Sequence, residues 1–371
     1  MNQKIRAVIM CGGSGTRLAP LTTETPKQFL PLSDPHASMI QLTAKRIQPL
    51  ITDALTVVTN AKQAHWVKEQ LPQAQIILEP EPRNTAPAIG LTALYMDPDD
   101  VMLVFPADHI FANEEILRER LGYAATLAAS NDLLVTLGML PTHPHTGLGH
   151  IERSVAIDNS RASYRVARFV EKPPYEKAKE YTESGRYYWN GGMFAWRVGF
   201  FLERMALCAK DLYAGLMQIK ESKLSPDVIA EIFPRLPKIS VDYAILEKSA
   251  EYTAVIECKD LGWNDLGDWS VLGAIWDKDS NGNAIRGSVT VSDCSNCVMC
   301  NQGLGDLSVS GLHDAVIVKA QNRLLISPRK STQLVGKTAE TFASCTDTVI
   351  NLGVPNISIT QKDKRWIIAA N

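Results

Sequence analysis

The stretch AVIMCGGSGTRLAPLTTETPKQFLPL, residues 7–32, joins an apolar run to a glycine-rich segment that carries two cations, Arg17 and Lys27. The run Arg6–Met10 predicts a buried β-strand, and the glycines follow it directly. Glycine lets backbone N–H groups approach a phosphate chain closely, because no Cβ stands in the way. The stretch therefore predicts a strand that ends in an anion-binding loop. The glycines are Gly12, Gly13 and Gly15.

The next hundred residues alternate short β-branched runs with longer amphipathic stretches. This rhythm is typical of βαβ units and predicts a Rossmann-like α/β domain, a mostly parallel sheet with helices on both faces. Ligands bind at the carboxyl ends of such strands, so the loops at residues 12–27 and 106–109 are expected on one edge. The strand and helix pairs are Arg6–Met10 with Ser38–Leu50, Ala54–Thr59 with Lys62–Gln70, Gln75–Leu78 with Ala86–Met96, and Val101–Phe105 with Glu114–Ser130.

The pattern of hydrophobic and polar residues changes near residue 282. Short β-rich pieces broken by Gly, Asn and Ser follow, with no long amphipathic helix before Lys330. We therefore expect two domains, an α/β domain over residues 1–282 and a small β-rich domain over residues 283–371. A short left-handed parallel β-helix is the candidate architecture of the second domain.

Composition narrows the class of partner. Thirty-eight basic and forty acidic residues give a net charge of −2, so no overall field draws the chain to nucleic acid or to a membrane surface. No stretch approaches the roughly 18 apolar residues of a membrane helix. Seven cysteines, an odd number, indicate reduced thiols and a cytoplasmic location. Cys294, Cys297 and Cys300 have zinc-like spacing but lack a nearby fourth ligand, so we expect them to pack as small apolar residues.

Two common phosphate-binding templates do not fit the glycine-rich stretch. A P-loop places its lysine directly after the second glycine, whereas Lys27 lies well outside the turn. A dinucleotide-binding fingerprint requires a third glycine where Leu18 stands. An ordinary surface turn would need neither Arg17 nor Lys27, so a different kind of phosphate site is indicated.

GGSGTRL followed by PKQFL resembles the signature of the sugar-phosphate nucleotidylyltransferase family, in particular its mannose-1-phosphate guanylyltransferase branch. Seven further stretches resemble that family in the same order, and the likeness covers roughly residues 5–330. One block alone would be weak evidence, but eight in order are strong. The seven are EPEPRNTAPAIGLTAL (79–94), FPADHI (105–110), TGLGHIE (146–152), FVEKP (169–173), WNGGMFAWR (189–197), SVDYAILEKS (240–249) and GWNDLGDW (262–269).

The resemblance implies transfer of GMP from GTP to mannose 1-phosphate, giving GDP-mannose and diphosphate for glycan synthesis. It also implies Mg²⁺ as the cofactor and a homodimer. Such a transfer accumulates negative charge on the attacking phosphate, the α-phosphorus centre and the leaving diphosphate, so preorganised cations are required. The sugar phosphate is already an anion near neutral pH, so the reaction needs no general base.

The resemblance also assigns a nucleotide site. Arg17 and Lys27 would neutralise the phosphates, and a carboxylate, Glu79 or Glu81, would help read the guanine edge. A second interpretation makes residues 84 and 85 the start of a helix, and capping is compatible with base recognition. The nucleotide-binding residues implied are Gly12, Gly13, Ser14, Gly15, Thr16, Glu79, Asn84 and Thr85.

Asp108 and Asp265 match the two carboxylates that hold the metal in this family, and Mg²⁺ favours such a set. The alternative for Asp108 is a turn aspartate, and Asp268 is a rival to Asp265. Lys172 would bind the sugar phosphate and Glu171 a sugar hydroxyl, although the two could instead form a surface ion pair. The remaining residues expected around the sugar are Gly147, Gly149, Asn190 and Gly191.

Three positions depart from the family pattern. Ala19 stands where a tryptophan is common, Gly191 replaces a serine, and Leu148 or His150 stands where an aromatic ring is common. These departures leave a different sugar 1-phosphate, such as a heptose 1-phosphate, as an alternative substrate. A catalytically silent paralogue that binds a nucleotide sugar is a further alternative, although such a protein has no need of both metal carboxylates.

Overall fold

The computed structural model describes residues 3–345, 347–362 and 365–371. The chain divides into two compact units, and each is built from two separate segments. The first unit comprises the residues up to Gly12 together with Gln41–Trp263. The second unit comprises Gly13–Ile40 together with Asn264–Asn371.

The first unit contains a nine-stranded sheet in the order β3-β2-β1-β4-β8-β5-β9-β7-β6. The pairing directions place seven strands in one orientation and only β7 and β8 in the other, which confirms the predicted mostly parallel α/β sheet. The strands are β1 (Ile5–Met10), β2 (Thr56–Asn60), β3 (Gln75–Glu79), β4 (Val101–Pro106), β5 (Leu134–Met139), β6 (His150–Asp158), β7 (Ser163–Val170), β8 (Tyr187–Arg197) and β9 (Thr253–Cys258).

Helices accompany this sheet, and the first four begin and end within about three residues of the predicted bounds. The core of the unit contains buried aromatic rings, among them Trp196 and Phe201, which stack with centroids 4.6 Å apart. No helix among the described residues is long and apolar enough to cross a bilayer. The helices are α1 (Met39–Ile47), α2 (Ala64–Gln70), α3 (Thr85–Ala93), α4 (Glu114–Ser130), α5 (Tyr175–Ser184), α6 (Val198–Cys208), α7 (Lys210–Glu221) and α8 (Pro226–Ile232), with 3₁₀ turns at Gln48–Leu50, Phe233–Arg235 and Glu247–Tyr252 and a π-helical turn at Asp242–Leu246.

The second unit carries two sheets, ordered β10-β12-β14-β15-β16 and β11-β13-β18-β17. Val289 pairs in parallel with Leu307 and Val298 with Val316, both 18 positions apart, which fits a parallel β-helix with one strand of each sheet per coil. The predicted β-rich domain is confirmed, and its handedness stays a prediction. The strands are β10 (Ala284–Arg286), β11 (Val289–Ser292), β12 (Val298–Gln302), β13 (Leu307–Ser310), β14 (Ala315–Ala320), β15 (Arg323–Pro328), β16 (Thr348–Asn351), β17 (Ile357–Lys362) and β18 (Arg365–Ala370).

Short helices complete the second unit. They are α9 (Trp269–Ile275) and α10 (Ala339–Ser344), with 3₁₀ turns at Thr16–Leu18, Lys27–Phe29 and Arg329–Thr338. Cys294 and Cys297 are buried in the core of this unit beside Leu307 and Trp366, and Cys300 is fully buried as well. The three cysteines therefore pack as apolar residues, as the sequence predicted.

The compact units do not follow the expected boundary between residues 282 and 283, because two tryptophans tie other segments to the β-rich part. The Trp269 indole N–H donates to the Ala19 carbonyl at 3.1 Å, and the Trp276 indole donates to the Leu32 carbonyl at 2.8 Å. A Cβ at Gly273 would collide with Val298, so only glycine lets α9 lie this close to β12. The segment 13–40 and residues 264–282 therefore belong with the second unit.

Candidate active site

The glycine-rich loop lies in the second unit and is held by its own neighbours. The Gln28 side-chain amide donates to the Gly13 carbonyl at 2.8 Å, and the Thr22 hydroxyl donates to the Gly15 carbonyl at 2.9 Å. Gly15 has φ +72°, and a Cβ there would lie 2.8 Å from both Cβ and Cγ of Lys27. A Cβ on Gly13 would meet no described heavy atom within 4 Å apart from its chain neighbours. A side chain is therefore excluded at Gly15, whereas the space beside the Gly13 Cα is unoccupied by described atoms.

Three predicted site residues gather around the turn at residues 265–267 of the same unit. The Lys27 ammonium donates to the carbonyls of Asp265 at 3.4 Å and Leu266 at 3.3 Å. A Cβ placed on Gly267 would lie 3.5 Å from Asp265 Oδ1 and 3.7 Å from Arg17 Nη1. The structure therefore brings two cations and one carboxylate to the side of the glycine-rich loop, an arrangement suited to phosphate and a divalent cation.

Asp268, the alternative to Asp265 as a metal ligand, caps a helix instead. Its Oδ1 accepts from the backbone N–H groups of Ser270 at 2.8 Å and Val271 at 3.3 Å, which caps the N-terminus of α9. Its other oxygen accepts from the Gln333 side-chain amide. Asp268 is buried, whereas Asp265 is partly exposed. These contacts favour Asp265 as the metal-ligand candidate.

The 3₁₀ segment Arg329–Thr338 contacts the glycine-rich loop, which sequence reasoning missed. A Cβ on Gly336 would lie 3.4 Å from Arg17 Cγ and 3.8 Å from Thr16 Oγ1. No local pattern signals such a contact, because more than 300 residues of chain separate its two sides. Gly336 therefore lies against the stem of a predicted phosphate-binding cation.

In the first unit, Glu79 at the end of β3 lies against the end of β1. A Cβ on Gly12 would lie 3.3 Å from Glu79 Oε1. Glu79 is 6% exposed, and this burial raises the pKa of its carboxyl to about 7. Glu81, its alternative in the prediction, is exposed and pairs with Arg83 at 3.1 Å. Glu79 is therefore the better placed of the two for a buried recognition task.

The start of α3 follows closely on Glu79. Asn84 Oδ1 accepts from the Thr85 backbone N–H at 2.8 Å, so the predicted capping is confirmed. Thr85 Oγ1 accepts from the Val241 backbone N–H at 2.8 Å and thereby ties the helix start to a second segment. The Thr85 hydroxyl keeps its own hydrogen for donation, and recognition of guanine by these residues stays a prediction.

Asp108 follows β4 on an anchored backbone. The Ala107 N–H donates to the Met10 carbonyl at 3.3 Å, and the Thr43 hydroxyl donates to the Ala107 carbonyl at 3.2 Å. On its other side, His109 Nδ1 accepts from the Trp263 indole N–H at 3.1 Å. Asp108 therefore stands between two fixed residues in the first unit, whereas Asp265 belongs to the second. Among the described residues, no three or more His, Cys, Asp or Glu side chains form a ready metal site.

Four of the residues predicted around the sugar come together in the first unit. The Asn190 N–H donates to the Gly149 carbonyl at 2.8 Å, and a Cβ on Gly149 would lie 2.5 Å from Glu171 Oε2. The Lys172 ammonium pairs with Glu171 Oε1 at 2.8 Å, and this hydrogen bond raises the pKa of Lys172. The Glu171 side chain is 9% exposed and that of Lys172 is 59% exposed. The carboxylate is therefore fixed while the ammonium faces outward.

Asp242 completes this cluster, although sequence reasoning gave it no role. Asn190 Nδ2 donates to Asp242 Oδ1 at 2.9 Å. Burial raises the pKa of Asp242 to about 6, and the negative charge of Glu171 contributes to the shift. The available signal was its position in SVDYAILEKS, one of the eight resembling stretches.

The remaining predicted positions are Gly191, which follows Asn190 in β8, and Gly147. A Cβ on Gly191 would lie 2.6 Å from Met139 Cε and 3.2 Å from Met193 Cε. A Cβ would also lie 3.3 Å from the Leu137 carbonyl oxygen, so a serine at this position would be crowded by these neighbours. The Gly147 N–H donates to His145 Nδ1 at 3.0 Å, and the His145 ring packs edge-on to Trp189 with centroids 5.7 Å apart.

Comparison with known proteins gives one consistent result. Residues 6–281 match the nucleotidyl transferase family. A mannose-1-phosphate guanylyltransferase of Escherichia coli is 40% identical over 347 residues, which cover 90% of this chain and 73% of that protein. Xanthan biosynthesis protein XanB of Xanthomonas campestris pv. campestris (strain B100) is 38% identical over 345 residues, 88% of this chain and 71% of that protein. A crystal structure described as a mannose-1-phosphate geranyltransferase from Thermus thermophilus superimposes with a TM-score of 0.81 at 29% identity, covering 91% of this chain and 99% of that one.

Proposed function

Because the chain belongs to the nucleotidyl transferase family, and to its mannose-1-phosphate guanylyltransferase branch, we propose that it transfers GMP from GTP to mannose 1-phosphate. The products are GDP-mannose and diphosphate. The observation that carries the proposal is the grouping of Arg17, Lys27 and Asp265 beside the glycine-rich loop. Two cations beside a glycine-rich loop match the charge that a triphosphate carries into the reaction.

The residues of the second unit bind and hold the triphosphate. The backbone from Gly12 to Thr16 receives the phosphate oxygens. Arg17 and Lys27 offset the negative charge that grows when the sugar phosphate attacks the α-phosphorus in line with the leaving diphosphate. Because the nucleophile is an anion before it binds, no side chain has to remove a proton from it.

Mg²⁺ is the proposed cofactor, with Asp108 and Asp265 as its carboxylate ligands. The donor set fits, because Mg²⁺ uses one or two carboxylates and completes its shell with water and substrate phosphates. When bound, the ion would neutralise charge on the triphosphate. Asp265 is preferred because both oxygens of Asp268 already serve α9 and Gln333.

The first unit supplies recognition of the base and the sugar. Glu79, Asn84 and Thr85 are proposed for the guanine edge, where buried donors and acceptors reject a base that leaves them unpaired. Lys172 is proposed for the sugar phosphate and Glu171 for a sugar hydroxyl. Gly147, Gly149, Asn190 and Gly191 are the positions proposed to border the sugar.

The test is diphosphate release by the purified protein with Mg²⁺, across common nucleoside triphosphates and several sugar 1-phosphates. The proposal expects one strong signal, from GTP with mannose 1-phosphate. GTP turnover with another sugar 1-phosphate alone would overturn the sugar assignment. Silence across the grid, from a protein that still binds GDP-mannose, would favour a non-catalytic paralogue.

The metal ligands are tested one at a time, because the two carboxylates lie in different units. Asp108→Asn and Asp265→Asn should each lower kcat by roughly 100-fold, the effect typical of losing a preorganised electrostatic group. Asp227→Asn, at an exposed position in the first turn of α8, is the matched control and should leave kcat unchanged. A variant within twofold of the wild type at every Mg²⁺ concentration would remove that residue from the metal site.

We further propose that the protein acts in the cytoplasm as a homodimer. Cys258, Cys294, Cys297 and Cys300 carry buried free thiols, which a reducing compartment preserves. The homodimer rests on the family resemblance, and light scattering of the purified protein tests it. A mass equal to one chain at assay concentration would contradict it.

A further inference from the structure

The side chain of Asn190 is held at both ends of its amide. Its Nδ2 donates to Asp242 Oδ1 at 2.9 Å. Its Oδ1 accepts from the Thr136 hydroxyl at 3.2 Å and from the Gly192 backbone N–H at 3.1 Å. The Nδ2 end has an acceptor as its partner and the Oδ1 end has two donors. Rotation of the amide by half a turn would therefore break all three hydrogen bonds. Asp242 is therefore part of what fixes the orientation of Asn190.

Asp242 is itself well anchored. It begins the π-helical turn Asp242–Leu246. Such turns are rare in proteins as a whole, and those that occur are often at functional sites. The preceding Val241 N–H is bound by the Thr85 hydroxyl at 2.8 Å, which joins this turn to the start of α3. The Ser240 hydroxyl hydrogen-bonds to the Asp242 carboxylate. The carboxylate is thus held by Ser240 on one side and by Asn190 on the other.

The two neighbouring carboxylates of Asp242 and Glu171 lower the stability of the fold, so stability does not explain their placement. Its carboxylate is partly buried near that of Glu171, and the ammonium of Lys172 is the cation that acts on both. Burying a second carboxylate beside the first disfavours the charged form, which agrees with the raised pKa of Asp242. Carboxylates kept close together in this way are characteristic of binding and catalytic sites.

We propose that Asp242 is a positioning residue of the sugar 1-phosphate subsite, which orients the Asn190 amide through the hydrogen bond that it accepts. The inference rests on the proposed function, since it deepens the description of that one subsite. Asp242 acts through Asn190, so its loss should weaken binding of the sugar 1-phosphate and leave that of the nucleotide unchanged.

Two variants separate the hydrogen bond from the charge. Asp242→Ala removes both, and the KM for mannose 1-phosphate should rise at least tenfold, as expected for losing a hydrogen bond to a charged group. Asp242→Asn keeps an oxygen that can accept from Asn190 Nδ2, so its KM should lie between those of the wild type and Asp242→Ala. The KM for GTP should stay within twofold in both. Asp227→Asn, an exposed aspartate of the same unit, is the matched control.

The measurement is steady-state diphosphate release, with each substrate varied in turn while the other is saturating. Thermal unfolding of each variant establishes that it is folded. The inference is overturned if the two KM values rise together, or if Asp242→Ala stays within twofold of the wild type for the sugar substrate. If Asp242→Ala does not fold, Asp242→Asn decides, and a KM for the sugar substrate within error of the wild type overturns the proposal.

Failure of the proposed function gives a different pattern. If the wild type turns over only with another sugar 1-phosphate, that compound replaces mannose 1-phosphate in the same comparison. If no compound gives turnover, calorimetric titration of mannose 1-phosphate into wild type and Asp242→Ala should still show at least tenfold weaker binding by the variant. Equal affinities there would overturn the role of Asp242, and no binding by the wild type would overturn both proposals.

Discussion

Replacement of Gly15 by alanine should destabilise the second unit, whereas the same change at Gly13 should not. The two glycines lie two residues apart in one loop, so they form a matched pair. Gly15 has φ +72°, a conformation that L-residues rarely adopt, and Gly13 has no such backbone requirement. The pair therefore separates the backbone role of glycine from its role in leaving space.

The expected cost at Gly15 has two parts. The left-handed conformation costs a residue with a Cβ about 1–2 kcal/mol. The new Cβ would also lie 2.8 Å from Cβ and Cγ of Lys27, which are stem atoms that cannot swing away, and overpacking of this kind costs about 1–3 kcal/mol. A total of about 2–5 kcal/mol lowers the unfolding midpoint by roughly 4–20 °C, at about 2–4 °C per kcal/mol.

Alanine at Gly13 meets open space, so its effect on the free energy of unfolding should stay within about 0.5 kcal/mol. Under the proposed function, its methyl group would hinder the approach of the triphosphate to the loop, so the KM for GTP should rise. Gly15→Ala should instead lower kcat/KM for GTP by displacing Lys27. Thermal unfolding by circular dichroism and diphosphate-release kinetics measure both effects. Equal unfolding midpoints for the two variants, or a Gly15→Ala midpoint at the wild-type value, would refute the reasoning.

The remaining predictions use other close contacts and one shifted pKa. Because the folded-state pKa of Glu79 is about 7 against 4.5 for the free group, the folded state binds more protons between these values, and the free energy of unfolding falls as pH rises through that window. Glu79→Gln should abolish this fall, which is at most about 3 kcal/mol, in urea titrations at pH 5 and pH 8; an unchanged difference between the two pH values would contradict it. Gly149→Ala places a Cβ 2.5 Å from Glu171 Oε2 and should raise the KM for mannose 1-phosphate several-fold with GTP unaffected, and parallel changes in both would argue against a sugar-side role. Gly336→Val brings its methyl groups onto the Arg17 stem, 3.4 Å from the Cβ position, and should raise the KM for GTP alone; a wild-type KM would show that the contact does not position Arg17.

Local signals account for the parts of the fold that the sequence predicted well. The helix over Glu114–Ser130 has the predicted bounds, because Asn113 caps it through Ile116 N–H at 3.2 Å and two glutamates occupy its first turn. The strand β1 and the glycine turn that follows it were likewise predicted from residues that are near neighbours in sequence, whereas anion binding by that loop stays a prediction. Both features depend on spacings of a few residues, which a single sequence displays directly.

Packing between distant segments could not be predicted in this way. The assignment of residues 13–40 to the second unit depends on indole hydrogen bonds from Trp269 and Trp276, whose partners lie about 250 positions earlier in the chain. The hydrogen bond between Asn190 and Asp242 is likewise invisible to periodicity, since it joins a strand to a π-helical turn. The antiparallel strands β7 and β8 come after the region in which the sequence shows a regular alternation of strand and helix patterns. In each case the deciding interaction is tertiary.

Two free energies distinguish a binding role of Glu171 and Lys172 from that of a surface ion pair: the cost of the Lys172 backbone conformation and the gain from the ion pair. Lys172 has φ +47°, and holding a non-glycine residue in that region costs about 1–3 kcal/mol. An exposed ion pair contributes about 0–1 kcal/mol, and the Lys172 side chain is 59% exposed, so the 2.8 Å contact does not offset the backbone cost. The backbone N–H of Glu171 is held by Glu247 Oε1 at 3.1 Å, which keeps the strained turn in place. A strained turn that presents a lysine outward beside a buried carboxylate is poorly explained by stability and well explained by binding of an anionic sugar.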